Sequence, residues 1–188
     1  MGFTKDELMR YRGVEVADLV GDDCRLLFVG INPGLWTAAV GAHFARPGNR
    51  FYPALFRAGI VDRLIDASAG MSADDRDLLY RRGVGITNVV ARATAGAAEL
   101  SADELRSGGR DLRERVAKIR PRVVAVAGIT AFRSAFGAPR AVAGRQEERW
   151  AGAQVWVVPN PSGLNAHETV DSLAVAYAAP ARAAGLFG

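Results

Sequence analysis

The sequence predicts an α/β fold of three layers, α/β/α, with a mostly parallel central sheet. Three observations carry that prediction. The runs "RLLFVGI" (25–31), "RVVAVAG" (122–128) and "QVWVVPN" (154–160) are short and continuously apolar rather than alternating, the pattern of strands buried on both faces. Segments with helical signals lie between them, as parallel strands require for their crossovers. The runs at 25–31 and 154–160 empty into Asn-Pro, so the strands stop abruptly in loops.

Taken in order, residues 4–11 read as a short helix capped by Thr4, with Asp6 and Glu7 in its first turn. The strand at 25–31 opens into an irregular loop over 32–49. The segment 50–60 reads as helical from Pro53, because proline is tolerated in a first turn. Ser72 caps a helix over 73–82 that stops at Gly83. "GITNVV" (85–90) is a further strand, and Ser101-Ala-Asp-Glu104 is a capping box opening a helix to about Ile119, ended by Pro121. A short helix at 130–136 is stopped by Gly137. Residues 138–152 read as a polar excursion or an irregular hairpin. The last helix begins at His167 or Glu168, and Pro180 ends or kinks it.

The 188 residues suit one domain, with residues 1–22 as an N-terminal extension packed on it. No apolar stretch reaches membrane-spanning length and the N-terminus lacks a secretory signal, so the expectation is a soluble, cytoplasmic monomer without a membrane partner. Cys24 is the only cysteine and His43 and His167 are the only histidines, which excludes an internal disulfide and a cysteine-held metal. No acidic cluster has ligand spacing, and no phosphate-binding or dinucleotide fingerprint is present, so neither metal nor cofactor is expected. The net charge of +4 is compatible with nucleic acid as a partner, although arginine-rich composition alone produces such a balance.

In open α/β sheets, ligands sit outside the carboxyl ends of the strands. Three such ends carry unusual loops here: "GINPGLWTAAVGAHFARPGNRF" (30–51), "GITN" (85–88) and "NPSGLNAH" (160–167). The first and last of these, in this order and about 110 residues apart, resemble the mismatch-specific uracil- and thymine-DNA glycosylases of the uracil-DNA glycosylase superfamily. The resemblance runs from about Arg25 to Tyr177. It implies a uracil-DNA glycosylase-like fold that removes uracil, and sometimes thymine, opposite guanine, with double-stranded DNA carrying G·U or G·T mispairs as the partner.

That chemistry assigns a place to each residue. A base inside a duplex must be flipped into a pocket before its glycosidic bond is reached. Asn32 is the candidate for orienting the water, since an amide accepts a hydrogen bond but takes no proton at neutral pH. The backbone from Asn32 through Gly34 to Leu35, after Ile31, suits the O2 of a base leaving as an anion. Phe44 is the candidate floor for stacking. His43 reads either as a spectator or as a donor to the base or a phosphate. Thr37 corresponds to a place near the C5 edge where relatives carry smaller residues, which favours uracil over thymine. Asn88 stands where some relatives carry a lysine. Asn49 and Arg50 brace the loop or reach a phosphate.

In the far loop, Leu164 is the candidate wedge, with Gly163 allowing close backbone approach and Ser162 bonding a phosphate. The resemblance implies orphan-guanine contacts from this loop, Asn160 to Asn165. Ala166 lacks the arginine of some relatives, leaving Asn165 or His167 in that role. Two other readings stand beside the glycosylase: a low-turnover protein that binds mismatched or damaged DNA, and a nucleoside hydrolase, which would need an aspartate-rich calcium site.

Overall fold

β1 (Leu26–Gly30), β2 (Val84–Asn88), β3 (Val123–Ala127) and β5 (Ala153–Val158) pair in parallel in the order β2-β1-β3-β5, and β4 (Gly144–Trp150) adds an antiparallel edge. The computed structural model describes residues 2–188. Alternate side chains of each apolar run enter opposite cores. Leu26 and Phe28 of β1, with Val123 and Ala125 of β3, face one layer, built from α3 (Phe51–Arg57), α4 (Ala73–Arg81) and α7 (Val170–Ala183). Leu27, Val29, Val124 and Val126 face the other, built from α5 (Ala102–Ile119) and α6 (Ile129–Phe136). Burial on both faces is why these runs do not alternate. The result is the three-layer α/β/α architecture.

α1 (Lys5–Met9) is capped at Thr4 as expected, and the cap is a capping box with Glu7; Ser72 and Ser101 cap α4 and α5 through their side chains. α5 ends at Arg120, which adopts a left-handed φ of 57° immediately before Pro121. Two glycines inside α5 are a packing requirement. A Cβ on Gly108 would stand 2.4 Å from the Val89 carbonyl oxygen, and one on Gly109 would stand 2.6 Å from that of Ala135. The helix therefore lies against the backbone that follows β2 and against α6.

Three boundaries differ from the sequence reading, and one of its alternatives is decided. α2 (Leu35–Val40) occupies part of the segment read as open loop. It is six residues bounded by Gly34 and Gly41, too short for a hydrophobic period to show. α3 begins at Phe51, so Pro53 still falls in the first turn. In the polar stretch 138–152 the irregular-hairpin alternative holds: β4, in which only Trp150 is buried, pairs antiparallel with β5 with a register shift between Arg145 and Arg149, and the chain turns at Ala151 and Gly152 at φ of 48° and 89°. α7 begins at Val170, capped by Thr169, and continues through Pro180 because Ala181 and Ala184 are fully buried beyond it.

Residues 13–19 run antiparallel to 86–93. Leu19 and Ile86 exchange backbone hydrogen bonds of 2.9 and 2.8 Å, Val16 N donates to Ala91 O, and Gly13 N donates to Ala93 O. This segment carries the Ala17 carbonyl to the carboxyl end of the sheet.

Candidate active site

The carboxyl ends of β1, β2, β3 and β5 converge on one cavity of about 180 Å³. It is lined by Gly30 to Gly34, Thr37, His43 and Phe44, then by Asn88, Thr94, Ala127, Asn160 and Ser162, with Arg46 among the lining residues. It lies where the strand order reverses around β1, as expected for a doubly wound sheet. Ordinary small-molecule pockets run to roughly 300–1,000 Å³, so this one suits a single ring.

β1 and β2 continue their pairing past the sheet. Val90 N donates to Ile31 O at 3.0 Å, and Thr94 N donates to Pro33 O at 3.1 Å. That zip brings Asn32 beside Thr94. Asn32 Nδ2 donates to Thr94 Oγ1 (2.8 Å) and Arg92 O (3.0 Å), with Pro33 O at 3.2 Å. The Thr94 hydroxyl in turn donates to Gly96 O (2.9 Å). The donor end of the amide is thus fully occupied, and Asn32 Oδ1 has no protein donor among the described residues. It is a fixed acceptor in the cavity. The following turn leads into α2, whose first-turn N–H groups receive no side-chain cap from Gly34.

Phe44 has a left-handed φ of 54°, a conformation that costs a non-glycine residue about 1–3 kcal/mol. Its surroundings hold it there. Phe51 stacks on the ring at 4.1 Å, and the Tyr52 hydroxyl donates to the His43 carbonyl at 2.8 Å. One face of Phe44 rests on the core and the half-buried ring lines the cavity.

His43 is 5% exposed. Its Nε2 lies 2.7 Å from the Ala17 carbonyl, so Nε2 carries the proton. Its Nδ1 lies 3.2 Å from Asn88 Nδ2, which donates to it. Both ring nitrogens are occupied by protein. Burial pushes the ring's pKa below its ordinary 6.5, against the hydrogen bond to Ala17 and the charge of Asp18, which raise it. The ring is therefore neutral in the fold. Protein stability should be complete above pH 6.5 and fall below it, as the unfolded chain takes a proton that the folded chain refuses. Denaturant titrations at falling pH should show a steeper loss for the native protein than for His43→Gln, the difference approaching ~1.4 kcal/mol per pH unit at most.

Asn88 closes the opposite wall. Its carbonyl accepts from Arg115 Nη2 at 2.5 Å, and Arg115 also faces Asp18. Its Oδ1 has no protein donor among the described residues and lies over the Cα of Gly30. Thr37 is buried in the lining, whereas Leu35 is buried away from it and can contribute only backbone.

The far loop is braced by its own polar side chains. Asn160 Oδ1 accepts from Ser162 N (2.9 Å), Ser162 Oγ from Leu164 N (3.3 Å), and Asn165 Nδ2 donates to Asn160 O (3.1 Å). Leu164 is 78% exposed at the tip. Asn165 faces a neighbouring cavity rather than the base-sized one. A Cβ on Gly163 would stand 2.6 Å from Gly48 O, so the two loops touch backbone to backbone. Arg50 ties them: its N donates to Pro161 O (2.9 Å) and its Nη1 to Asn165 O (2.9 Å). That guanidinium is an inter-loop tie rather than the free phosphate contact considered from sequence. Asn49 Oδ1 accepts from Phe51 N and opens α3. Arg46, exposed on the cavity rim, has no side-chain partner among the described residues.

Sequence reasoning missed Gly30, Thr94, Arg46 and the Ala17 carbonyl. A glycine ending a buried strand and a threonine in "ARATAG" are weak signals, and a backbone carbonyl leaves none. Cys24 is buried, and burial pushes its thiol up to about 12, so it is no nucleophile. No group of His, Cys, Asp and Glu among the described residues is placed to hold a metal ion.

A protein of Methanosarcina acetivorans, solved by NMR in solution and described as a candidate uracil DNA glycosylase, has a similar structure. The TM-score is 0.60 at 17% sequence identity, over 92% of this chain and 98% of that one. At that identity the likeness concerns the fold. The family profile described as "Uracil DNA glycosylase superfamily" matches residues 17–179, and that span holds the strands, both cavity loops and every lining residue named above. The chain belongs to the uracil DNA glycosylase superfamily.

Proposed function

We propose that the protein is a monofunctional DNA glycosylase that hydrolyses the N-glycosidic bond of uracil flipped out of duplex DNA, with uracil opposite guanine as the principal substrate. One observation carries this reading: a ring-sized cavity presents an unpaired Asn32 Oδ1, the Phe44 ring and the edge of the Asn88 amide together. Asn88 Oδ1 suits the N3–H of uracil, and its second Nδ2 hydrogen suits O4. Cytosine offers a lone pair and an amino group at those places and meets acceptor with acceptor, donor with donor. Thr37 narrows the C5 side, which favours uracil over thymine.

The mechanism follows from what each group can do. Stacking on Phe44 contributes ~1–3 kcal/mol. A water donating to Asn32 Oδ1 is aimed at C1′. As the C1′–N1 bond breaks, its electron pair leaves with the uracil, and backbone N–H groups of the α2 first turn stabilise the charge at O2. The oxocarbenium-like sugar is captured by the water, whose proton passes to solvent because an amide does not take it. Lys5 and Lys118 are both exposed and outside the cavity lining, so no Schiff base forms and the product is an abasic site.

The test is base release under enzyme excess from duplexes carrying G·U, A·U or G·T and from single-stranded uracil DNA. Release from G·U ahead of G·T is the expected result; no release from any of them sinks the reading. Leu164→Ala is expected to slow release from duplex DNA about tenfold and to leave single-stranded uracil DNA unaffected, because only a duplex has a stack to be held open. The lack of a proton-accepting side chain beside the water favours one second reading, a mismatch-binding protein of low turnover. Multiple-turnover kinetics separates the two.

A further inference from the structure

We infer that His43 is a positioning residue that sets the base selectivity of the cavity by fixing which way the Asn88 amide points, an inference that rests on the uracil reading above.

An amide has two ends of similar shape and opposite hydrogen-bonding character, and nothing in its own covalent structure chooses between them. Here the choice is made behind the cavity. The Ala17 carbonyl accepts only, so His43 Nε2, 2.7 Å away, must carry the ring's proton. A neutral ring with Nε2–H has a bare Nδ1, which accepts only. Asn88 must then turn its Nδ2 toward that nitrogen, at 3.2 Å, and its Oδ1 toward Gly30 and the cavity. The order of command runs from a backbone carbonyl, to a tautomer, to an amide, to the pattern offered to a base. Each link is a hydrogen bond among groups that are buried or nearly so, where a mismatched pair of like character is most costly.

The Asn88 backbone is held as well, since Arg115 Nη2 donates to its carbonyl at 2.5 Å, and Asn88 Oδ1 stands 2.5 Å from where a Cβ on Gly30 would lie. The N-terminal segment thereby takes part in the site. The pairing of residues 13–19 with 86–93 holds Ala17 in place over β2, the strand that ends in Asn88.

The experiment compares native protein, His43→Gln, His43→Asn and Asn88→Ala with the two double variants, by single-turnover release from G·U DNA at saturating enzyme. Gln keeps a nitrogen for Ala17 but loses the acceptor for Asn88. Asn keeps an oxygen where Nδ1 stood. His43→Gln should slow uracil release about ten- to a hundredfold, the worth of one base-edge pair, and His43→Asn should slow it less. In the Asn88→Ala background, His43→Gln should cost nothing more. Equal losses in both backgrounds, or no loss, overturn the inference. A second measurement stands apart from activity: ¹⁵N NMR of the His43 ring in the native protein. A protonated Nε2 and bare Nδ1 support the relay even if the native protein releases no uracil, in which case only the substrate reading falls. A protonated Nδ1 overturns the relay whatever the activity.

Discussion

Asn32→Ala is expected to slow single-turnover uracil release by roughly a thousandfold while leaving duplex binding intact. On the proposed reading the side chain aims the water and adds little to affinity. Its donor end is bonded to Arg92 O and Thr94 Oγ1, and its Oδ1 alone faces the cavity. Alanine would remove the acceptor to which the proposal assigns the water, and the Thr94 hydroxyl, directed at Gly96 O, would not replace it. The same geometry predicts that Asn32→Asp gives no gain from a stronger base. A carboxylate oxygen in place of Nδ2 would face the Arg92 and Pro33 carbonyls, acceptor against acceptor. Rates for native protein, Asn32→Ala and Asn32→Asp, with binding measured on the same duplex, check both statements. An Asn32→Asp protein faster than native would show that the amide is not held as described.

Gly30→Ala is expected to slow uracil release by about a hundredfold, the loss of both base-edge contacts together. The added Cβ would lie 2.5 Å from Asn88 Oδ1 and 3.4 Å from Phe44 Cζ. Neither neighbour has an easy retreat. Asn88 is tied at Nδ2 to His43 and at its carbonyl to Arg115, and Phe44 is stacked on Phe51. One methyl group would thus displace the two groups that the proposal assigns to the edge and the face of the base. A thermal melt alongside the rate separates this from unfolding. Gly30→Ala with native activity would mean that Asn88 Oδ1 does not stand in the base pocket.

The near absence of free choices around the cavity explains its composition. Three amide side chains there, those of Asn32, Asn88 and Asn160, have one end anchored in protein and the other without a protein partner among the described residues. Asn32 is anchored on the 92–94 backbone and threonine, Asn88 on His43, and Asn160 on the Ser162 amide. Such half-satisfied amides would be costly in a sealed core; here the open end meets water or ligand.

The order of strands and helices was legible in the sequence because it depends on local signals. Four or more continuous apolar residues mark a strand buried on both faces, Ser and Thr caps with acidic third residues open α1, α4 and α5, and Pro121 and Gly137 close α5 and α6. The pairing of "GINPG" with "NPSGLN" likewise named Asn32, Phe44 and Leu164 as residues of interest, since both motifs are contiguous stretches. The short α2 was not legible, lacking length, and β4, lacking an apolar pattern, was legible only as one of two alternatives for 138–152.

What a residue's neighbours make of it was decided only by the tertiary structure. Nothing local tells Arg50 to tie two loops rather than meet a phosphate, or Asn32 to present its oxygen rather than its nitrogen. Those outcomes depend on carbonyls at Asn165 and Arg92, 115 and 60 residues away. A backbone carbonyl is present at every position, so its identity carries no message; only its place in the folded chain does. The sequence by itself determined the layers and the loops that meet, and the closure of those layers determined which atom of each side chain was left to do chemistry.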